Sequence, residues 1–415
     1  MDYSAKDIET LNFVEAIRTR IAMYMGSADN QGVLQCVREI VSNSIDEHLM
    51  GYGSEIEVDY FENNKIRIKD YARGCPFGVR EDGTEALEAI FMTPHSGGKF
   101  NNKTYSTVIG LNGIGGKGVA LSAEYFKVES RREGQKVTLV IRKGVKESFN
   151  IEPTDEAAGT TIEFIPDQEV YNLEKIEIDF EEIKEMCKNW SYLNKGCKFK
   201  VNNHITKENY VFYAENGLLN LIEDKADNSI QEKPLYYVMK DGDLEVEIAL
   251  KWTKNRSELY TFTNGLENRE GGTSLTGLKS AITRNLNREF NMDLTGETSR
   301  TGLVAAISCK IPNPSFANQT KTKINNPELR GLADKAFSLC FKEYLLKYPD
   351  DAKSINTFLM REIKAENAAN KARMAVLNAQ AMIKGDKKDK IKASDKLKDC
   401  EIHDENSILF ITEGK

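Results

Sequence analysis

The 415-residue chain carries 57 basic against 64 acidic side chains, a net charge of −7, and 40% hydrophobic residues. That balance is ordinary for a globular protein with two or three cores, and it argues against a protein that coats nucleic acid indiscriminately. No apolar run of 18 residues occurs, "MDYSAKDIETLNF" lacks the order of a secretory signal, and seven scattered cysteines without a CxxC suggest neither disulfide framework nor zinc site. The chain therefore reads as cytoplasmic, with no membrane partner.

Two helices are predicted first, over "DIETLNFVEAIRTR" and "QGVLQCVREIVSNSIDEHLM". In the second, Val33, Leu34, Val37, Ile40, Val41 and Ile45 recur at helical spacing, and Gly51 supplies the stop. "SEIEVDYFENNKIRIKDYARG" alternates and predicts two strands turned at Asn63-Asn64. "EALEAIFMTP" predicts a short helix. The Gly-, Asn- and Ser-rich segment from Ser96 to Gly118 is too long for a plain connector and suggests a lid or binding loop. "YFKVESRREGQKVTLVIRKG" and "GTTIEFIPD" predict antiparallel strands, so helices and sheet segregate as in an α+β fold.

A helix near 178 to 192, a polar stretch and the strand series "YYVMKDGDLEVEIALKW" place a boundary around residues 215 to 232. Beyond it, "SLTGLKSAITRNLNREF" predicts a helix and "GLVAAISCKI" a buried strand. A long charged helix follows from about Pro327 to Lys384, broken near Pro349. "KGDKKDKIKASDKLK" reads as a solvated linker or a DNA-facing patch. "SILFITEGK" reads as a buried strand and a turn.

Three features could carry chemistry. Glu39 and Asn43 are four apart and share one helix face, as a binding pair or as an ordinary solvent face. Asp70 ends a strand, as a ligand contact or a turn residue, and Gly74 permits close backbone approach. "IGLNGIGGKG", residues 109 to 118, could wrap phosphates with its backbone N–H groups. Its Gly113, Gly115 and Gly118 spell GxGxxG, but the polar "GGKFNNKTYST" before it is no strand. Lys117 is followed by Gly118 rather than Ser or Thr, so neither a dinucleotide fingerprint nor a P-loop fits.

Together, acidic-x-x-x-Asn on a helix, D-x-x-x-G after a strand and a glycine-rich lid resemble the GHKL (Bergerat) ATPase fold. "RTRIAMYMG", "EIVSNSIDE", "HSGGKF", "GLNGIGGKG", "NREGGT", "PSFANQTKTK" and "LFITEG" fall in the order seen in type IIA DNA topoisomerase ATPase subunits, of the gyrase B and topoisomerase IV B type. The resemblance covers nearly the whole chain. It implies an α/β sandwich ATPase domain with an N-terminal dimerisation arm over residues 1–220. A ribosomal-protein-S5-like transducer domain with a long C-terminal helix would span 221–390, and a linker with the start of a Toprim domain 391–415.

The same resemblance implies ATP and Mg²⁺ as cofactors. Glu39 would be the general base that orients the attacking water, Asn43 would hold Mg²⁺ on the triphosphate, and Asp70 would accept from the adenine amino group. Gly74 and Thr160 would line the adenine pocket, with Lys99 and Tyr105 beside the nucleotide. Leu111, Asn112, Gly113, Ile114, Gly115, Gly116, Lys117 and Gly118 would close over the phosphates. Gln319 and Lys321 would reach the γ-phosphate from the second domain, Tyr3 and Ile8 would cross to the partner subunit, and Tyr24 would sit at the pocket rim. The implied activity is an ATP-driven homodimeric clamp that captures duplex DNA and works with a DNA-cleaving partner subunit.

The sequence departs from that pattern in places. Gln35 stands where a histidine is usual, Ala72 replaces a glycine, and Asn112 replaces a histidine. Glu413 matches the first Toprim acid, whereas Lys415 stands in place of an aspartate, so no complete DNA-cleavage centre is expected within these residues. A mismatch-repair or chaperone-like clamp of the same superfamily is the competing reading, and DNA-stimulated ATP turnover separates the two.

Overall fold

The computed structural model describes residues 11–94, 96, 113–318 and 320–383. Tyr3, Lys99, Tyr105, Leu111, Asn112 and Gln319, the arm around Ile8, the basic run after Lys384 and the "SILFITEGK" strand lie outside them.

Asn12 caps the first helix reciprocally with Glu15, each side chain accepting from the other's backbone N–H, so α1 runs from Phe13 to Thr19. The chain leaves helical geometry at Arg20, where the expected helix ends, and a separate short helix that was not expected, α2 (Ile21–Met25), follows; Leu11 and Asn12, expected to be helical, precede α1. Asp29 caps α3 (Asn30–Leu49) by accepting from the N–H groups of Gln31 and Gly32. Val33, Val37, Ile40, Val41 and Ile45 of α3 are at most 1% exposed. Burial of ~1.5–3 kcal/mol per such side chain fixes this helix on the sheet below it.

Strands β1 (Glu55–Tyr60) and β2 (Ile66–Asp70) form the expected hairpin, and Asn63 and Asn64 at its tip adopt left-handed backbone, which short amide side chains tolerate. In β2 the residues Ile66, Ile68 and Asp70 are buried and the two between them are not. The period of two therefore turns Asp70 toward the helix layer. After α4 (Ala86–Met92) comes α5 (Gly115–Ser122), then β3 (Ala123–Arg132), β4 (Gln135–Arg142), β5 (Val145–Pro153), β6 (Gly159–Pro166), α6 (Phe180–Leu193), β7 (Lys198–Asn203) and β8 (Glu208–Phe212). The eight strands make one sheet in the order β5-β4-β3-β6-β2-β1-β7-β8, antiparallel throughout except for the β1–β7 pair. Its core lies between the sheet and the helices.

The glycine-rich segment was expected to run as a loop through Gly118; instead the chain enters α5 at Gly115. The glycines there serve close packing. A Cβ on Gly115 would lie 1.8 Å from Glu39 Oε2, and one on Gly118 would lie 2.1 Å from Met25 Cε.

A second sheet follows α7 (Leu218–Lys225). It contains β9 (Leu235–Asp241), β10 (Leu244–Trp252), β11 (Glu258–Thr263) and the short β12 (Leu266–Glu267). After β13 (Gly271–Gly272) and α8 (Thr273–Phe290) come β14 (Leu303–Lys310), β15 (Lys323–Ile324), α9 (Glu328–Lys347) and α10 (Pro349–Ile383). The five-stranded order is β12-β11-β14-β10-β9, and β13 pairs with β15. The long helix breaks at Tyr348, as the position of Pro349 predicts. By contacts the chain divides after Glu362, and the described part of the second unit is the remainder of α10. Leu218, Leu221 and Ile222 of α7 pack with Ala249, Phe262, Val304 and Ala306 of the second sheet. The stretch read as a boundary thus contains a packed helix, too short for its period to show in the sequence. Among the described residues no helix is long and apolar enough to cross a membrane.

Candidate active site

Helix α3 presents Glu39 with its side chain 13% exposed. Gln35, one turn earlier, donates from Nε2 to Glu39 Oε1 at 2.8 Å, and Glu39 Oε2 occupies the space that the missing Cβ of Gly115 leaves. The carboxylate is thereby held between its own helix and the first turn of α5. Asn43 follows on the same face, and a Cβ on Gly116 would come within 3.7 Å of its side chain. The backbone N–H groups at the start of α5 make this end of the cleft favourable for an anion.

Lys117 of α5 is 2% exposed, and its ammonium donates to the carbonyls of Ser96 (2.6 Å) and Gly113 (2.7 Å). Burial pushes its pKa down to about 8. With the ammonium so engaged, what Lys117 presents at the start of the helix is its backbone N–H.

At the other end of the cleft, Asp70 is 7% exposed. Its Oδ1 accepts from the N–H groups of Ala72 (3.1 Å) and Thr160 (3.0 Å), and its Oδ2 accepts from the Ser44 hydroxyl (3.0 Å). Gly159 makes this convergence possible: its φ is +152° and a Cβ there would lie 2.2 Å from the Asp70 carbonyl oxygen. Burial raises the Asp70 pKa above the ordinary aspartate value; the three hydrogen bonds act in the opposite direction, and nearby Glu47 adds to the rise. Gly74 adopts φ +76° against the Arg131 carbonyl, and Thr160 faces the partly buried Cys75 thiol, Oγ1 to Sγ 3.9 Å. Tyr24 packs edge-on against Phe13.

Lys321 arrives from the segment between β14 and β15. It is 7% exposed, and its Nζ lies 4.0 Å from Glu39 Oε1. Its backbone is left-handed at φ +58°, a conformation that costs a residue with a Cβ about 1–2 kcal/mol and persists only where surroundings enforce it. Those surroundings are visible. Buried Asn268 donates from Nδ2 to the Lys321 carbonyl at 2.8 Å and accepts from the Thr263 hydroxyl at 2.6 Å. Thr322 donates to the Glu270 carboxylate at 2.7 Å, and Gly26 leaves room for the Thr320 methyl, which a Cβ would meet at 2.1 Å.

The structure thus brings Glu39, Asn43, the start of α5 and Lys321 together, with Asp70 and Thr160 on the same side of the first sheet. Sequence reasoning missed Ser44 and Asn268. The first follows Asn43 directly and could have been found from its place on the apolar stripe, one turn of helix after Ile40. The second lies inside "NREGGT", quoted as a motif without a role for its asparagine.

Solved structures resemble this arrangement. The 43K ATPase domain of Thermus thermophilus gyrase B, in complex with an aminocoumarin, superposes with a TM-score of 0.70 at 28% identity over 87% of this chain and 98% of that one. The topoisomerase IV ATP-binding domain of Francisella tularensis, in complex with a small-molecule inhibitor, gives 0.67 at 25% identity over 85% and 97%. The fold is therefore that of the GHKL ATPases. The DNA gyrase B family model matches residues 209–375, and the DNA gyrase B protein of Haloferax lucentense is 35% identical over 435 residues, covering 100% of this chain and 66% of that protein. The chain belongs to the gyrase B family of type IIA topoisomerase ATPase subunits. It spans about two thirds of the length of the curated relatives it matches.

Proposed function

We propose that the chain binds ATP in the cleft between α3, the end of β2 and the start of α5, and hydrolyses it with Glu39 as general base. The observation that supports this reading is the approach of Lys321 Nζ to Glu39 Oε1 at 4.0 Å, which brings two distant parts of the sequence together. Water is a poor nucleophile, and a held carboxylate can orient it in line with the terminal phosphate. Asp70 would accept from the adenine amino group through an Oδ2 lone pair, within a pocket bordered by Gly74 and Thr160. Gly113, Ile114, Gly115, Gly116, Lys117 and Gly118 would offer backbone N–H groups to the phosphates, and Leu111, Asn112, Lys99 and Tyr105 would complete the surroundings. Lys321 and Gln319 would read the terminal phosphate.

Mg²⁺ fits this donor set. Among the described residues no three His, Cys, Asp or Glu side chains converge as a metal cage, and a magnesium ion held by phosphates needs only one or two protein oxygens, such as the Asn43 carboxamide. Bound there, it would neutralise charge between phosphates.

In the whole protein, ATP binding by residues 1–220 would be passed through residues 221–390 to close a homodimer, with Tyr3 and Ile8 of each arm on the partner and Tyr24 at the pocket rim. The closed clamp would hold a DNA duplex for passage through a break made with a DNA-cleaving partner subunit. ATP turnover with and without linear duplex DNA tests this. Stimulation by DNA is expected, and turnover indifferent to DNA would favour a clamp that binds a protein partner.

Asp70→Asn is expected to weaken ATP binding by about 10–100-fold, the equivalent of one charge-assisted hydrogen bond, because the amide turns a donor toward groups that are themselves donors. Calorimetric titration with ATP checks it, and unchanged affinity would remove the adenine role. In the unmutated protein, protonation of Asp70 removes the same acceptor. Since burial raises its pKa, affinity is expected to fall as pH drops through a value above the ordinary aspartate range.

Gly115→Ala is expected to leave the fold intact and displace the Glu39 carboxylate, lowering turnover by ~10²-fold, the usual cost of an ångström-scale misplacement of a reacting group. Wild-type turnover in this variant would mean that α5 yields and Glu39 does not depend on it.

A further inference from the structure

Lys321 brings its ammonium to Glu39 on a backbone that lysine disfavours. Its φ is +58°, which a glycine would adopt without strain, so the side chain is kept at this position against the backbone preference. What holds the turn therefore decides where the ammonium lies. On its outer side the turn is closed by Asn318, whose Oδ1 accepts from the Thr322 N–H (3.0 Å) and whose Nδ2 donates to the Thr322 hydroxyl (2.7 Å); that hydroxyl in turn donates to Glu270. Asn318 and Glu270 are exposed, so water competes for these bonds.

The inner side of the turn rests on Asn268, which is 1% exposed. Its Nδ2 donates to the Lys321 carbonyl at 2.8 Å, and its Oδ1 accepts at 2.6 Å from the hydroxyl of Thr263, a fully buried residue of β11. That donated hydroxyl fixes which way the amide faces, with its NH₂ on the lysine turn. The Asn268 backbone is tied to the same strand, its N–H donating to the Thr261 carbonyl at 2.7 Å. Away from water these bonds are stronger than the exposed ones, and a buried carbonyl deprived of its donor is costly. β11 belongs to the five-stranded sheet, whereas Glu39 stands on α3. The path from that sheet to the ammonium beside Glu39 thus runs Thr263, Asn268, Lys321.

We infer that Asn268 is a positioning residue for ATP hydrolysis, which sets the Lys321 ammonium beside Glu39 by holding the Lys321 carbonyl, with Thr263 orienting its amide. The inference rests on the proposed ATPase reading. Asn268 acts on the chemistry through Lys321 alone. Without its amide the turn relaxes toward ordinary backbone and the ammonium leaves Glu39, while the adenine end of the cleft, built on Asp70 and Thr160, keeps its form.

Steady-state ATP turnover and calorimetric ADP titration test this on wild type, Asn268→Ala, Lys321→Asn and the double variant. Asn268→Ala is expected to lower kcat by about 10–100-fold, the usual cost of an ångström-scale misplacement, with KM for ATP and ADP affinity within about threefold of wild type. In the Lys321→Asn background the same change is expected to cause no further loss, because both substitutions remove one and the same contact. Unchanged kcat in Asn268→Ala beside an impaired Lys321→Asn would overturn the inference and leave the ATPase reading standing, as would losses that multiply in the double variant. Wild-type turnover in Lys321→Asn would instead take the lysine out of the ATPase reading, and the inference with it. Should Asn268→Ala bind no ADP, a milder pair decides: Thr263→Val, which drops only the hydroxyl, is expected to lose kcat by about tenfold, and Thr263→Ser to retain it. Equal turnover in the two Thr263 variants would overturn the inference.

Discussion

Glu39→Gln is expected to keep ATP binding while hydrolysis falls by ~10²–10⁴-fold, the range typical for loss of a general base. The substitution preserves shape, and a glutamine still accepts from Gln35 at the position of Oε1. What it removes is the negative charge that orients water and takes up its proton. The space beneath Gly115 accommodates either side chain, so the nucleotide cleft should keep its form. Turnover measured beside ATP affinity on one preparation separates the roles. Turnover within about tenfold of wild type would be too small a loss for a general base.

Lys321→Ala is expected to bind ADP as wild type does and to lose hydrolysis by ~10²–10³-fold, as when one donor to a developing negative charge is removed. The ammonium would meet only the terminal phosphate, so its contact exists with ATP and vanishes with phosphate release. The left-handed backbone at Lys321 complicates alanine, which bears a Cβ that this conformation disfavours. Lys321→Asn supplies the control, because asparagine tolerates that backbone and carries no charge. Both variants should fail alike. If Lys321→Asn hydrolysed ATP normally, the ammonium would have no part in the chemistry; if ADP affinity fell by about tenfold in both, the fold of the cleft and not the phosphate contact would be at fault.

The elements that position the site were legible where periodicity is strong. The stripe from Val33 to Ile45 gave α3 and hence the shared face of Glu39 and Asn43, and alternation gave β2 with Asp70 at its end, whereas the direction of Asp70 came from the structure. Other elements left weaker traces. β5 is exposed on both faces at the sheet edge, so no alternation marks it, and α7 has only three buried apolar residues. The glycine run from Gly115 misled for a physical reason: composition cannot distinguish glycines that free a loop from glycines that let two helices touch. The meeting of Lys321 with Glu39 was accessible only through resemblance, since no local pattern couples a helix residue with a turn residue about 280 positions later. Asn268, which holds Lys321 in its left-handed turn, needed the tertiary structure.

A crystal structure of the chain with Mg²⁺ and a non-hydrolysable ATP analogue tests the central proposal most directly. The expected result places the adenine amino group on Asp70, the terminal phosphate between Glu39 and Lys321, and the Lys321 ammonium within hydrogen-bond distance of a terminal phosphate oxygen. A nucleotide bound with its terminal phosphate away from Glu39, or with Lys321 turned to solvent, would contradict it.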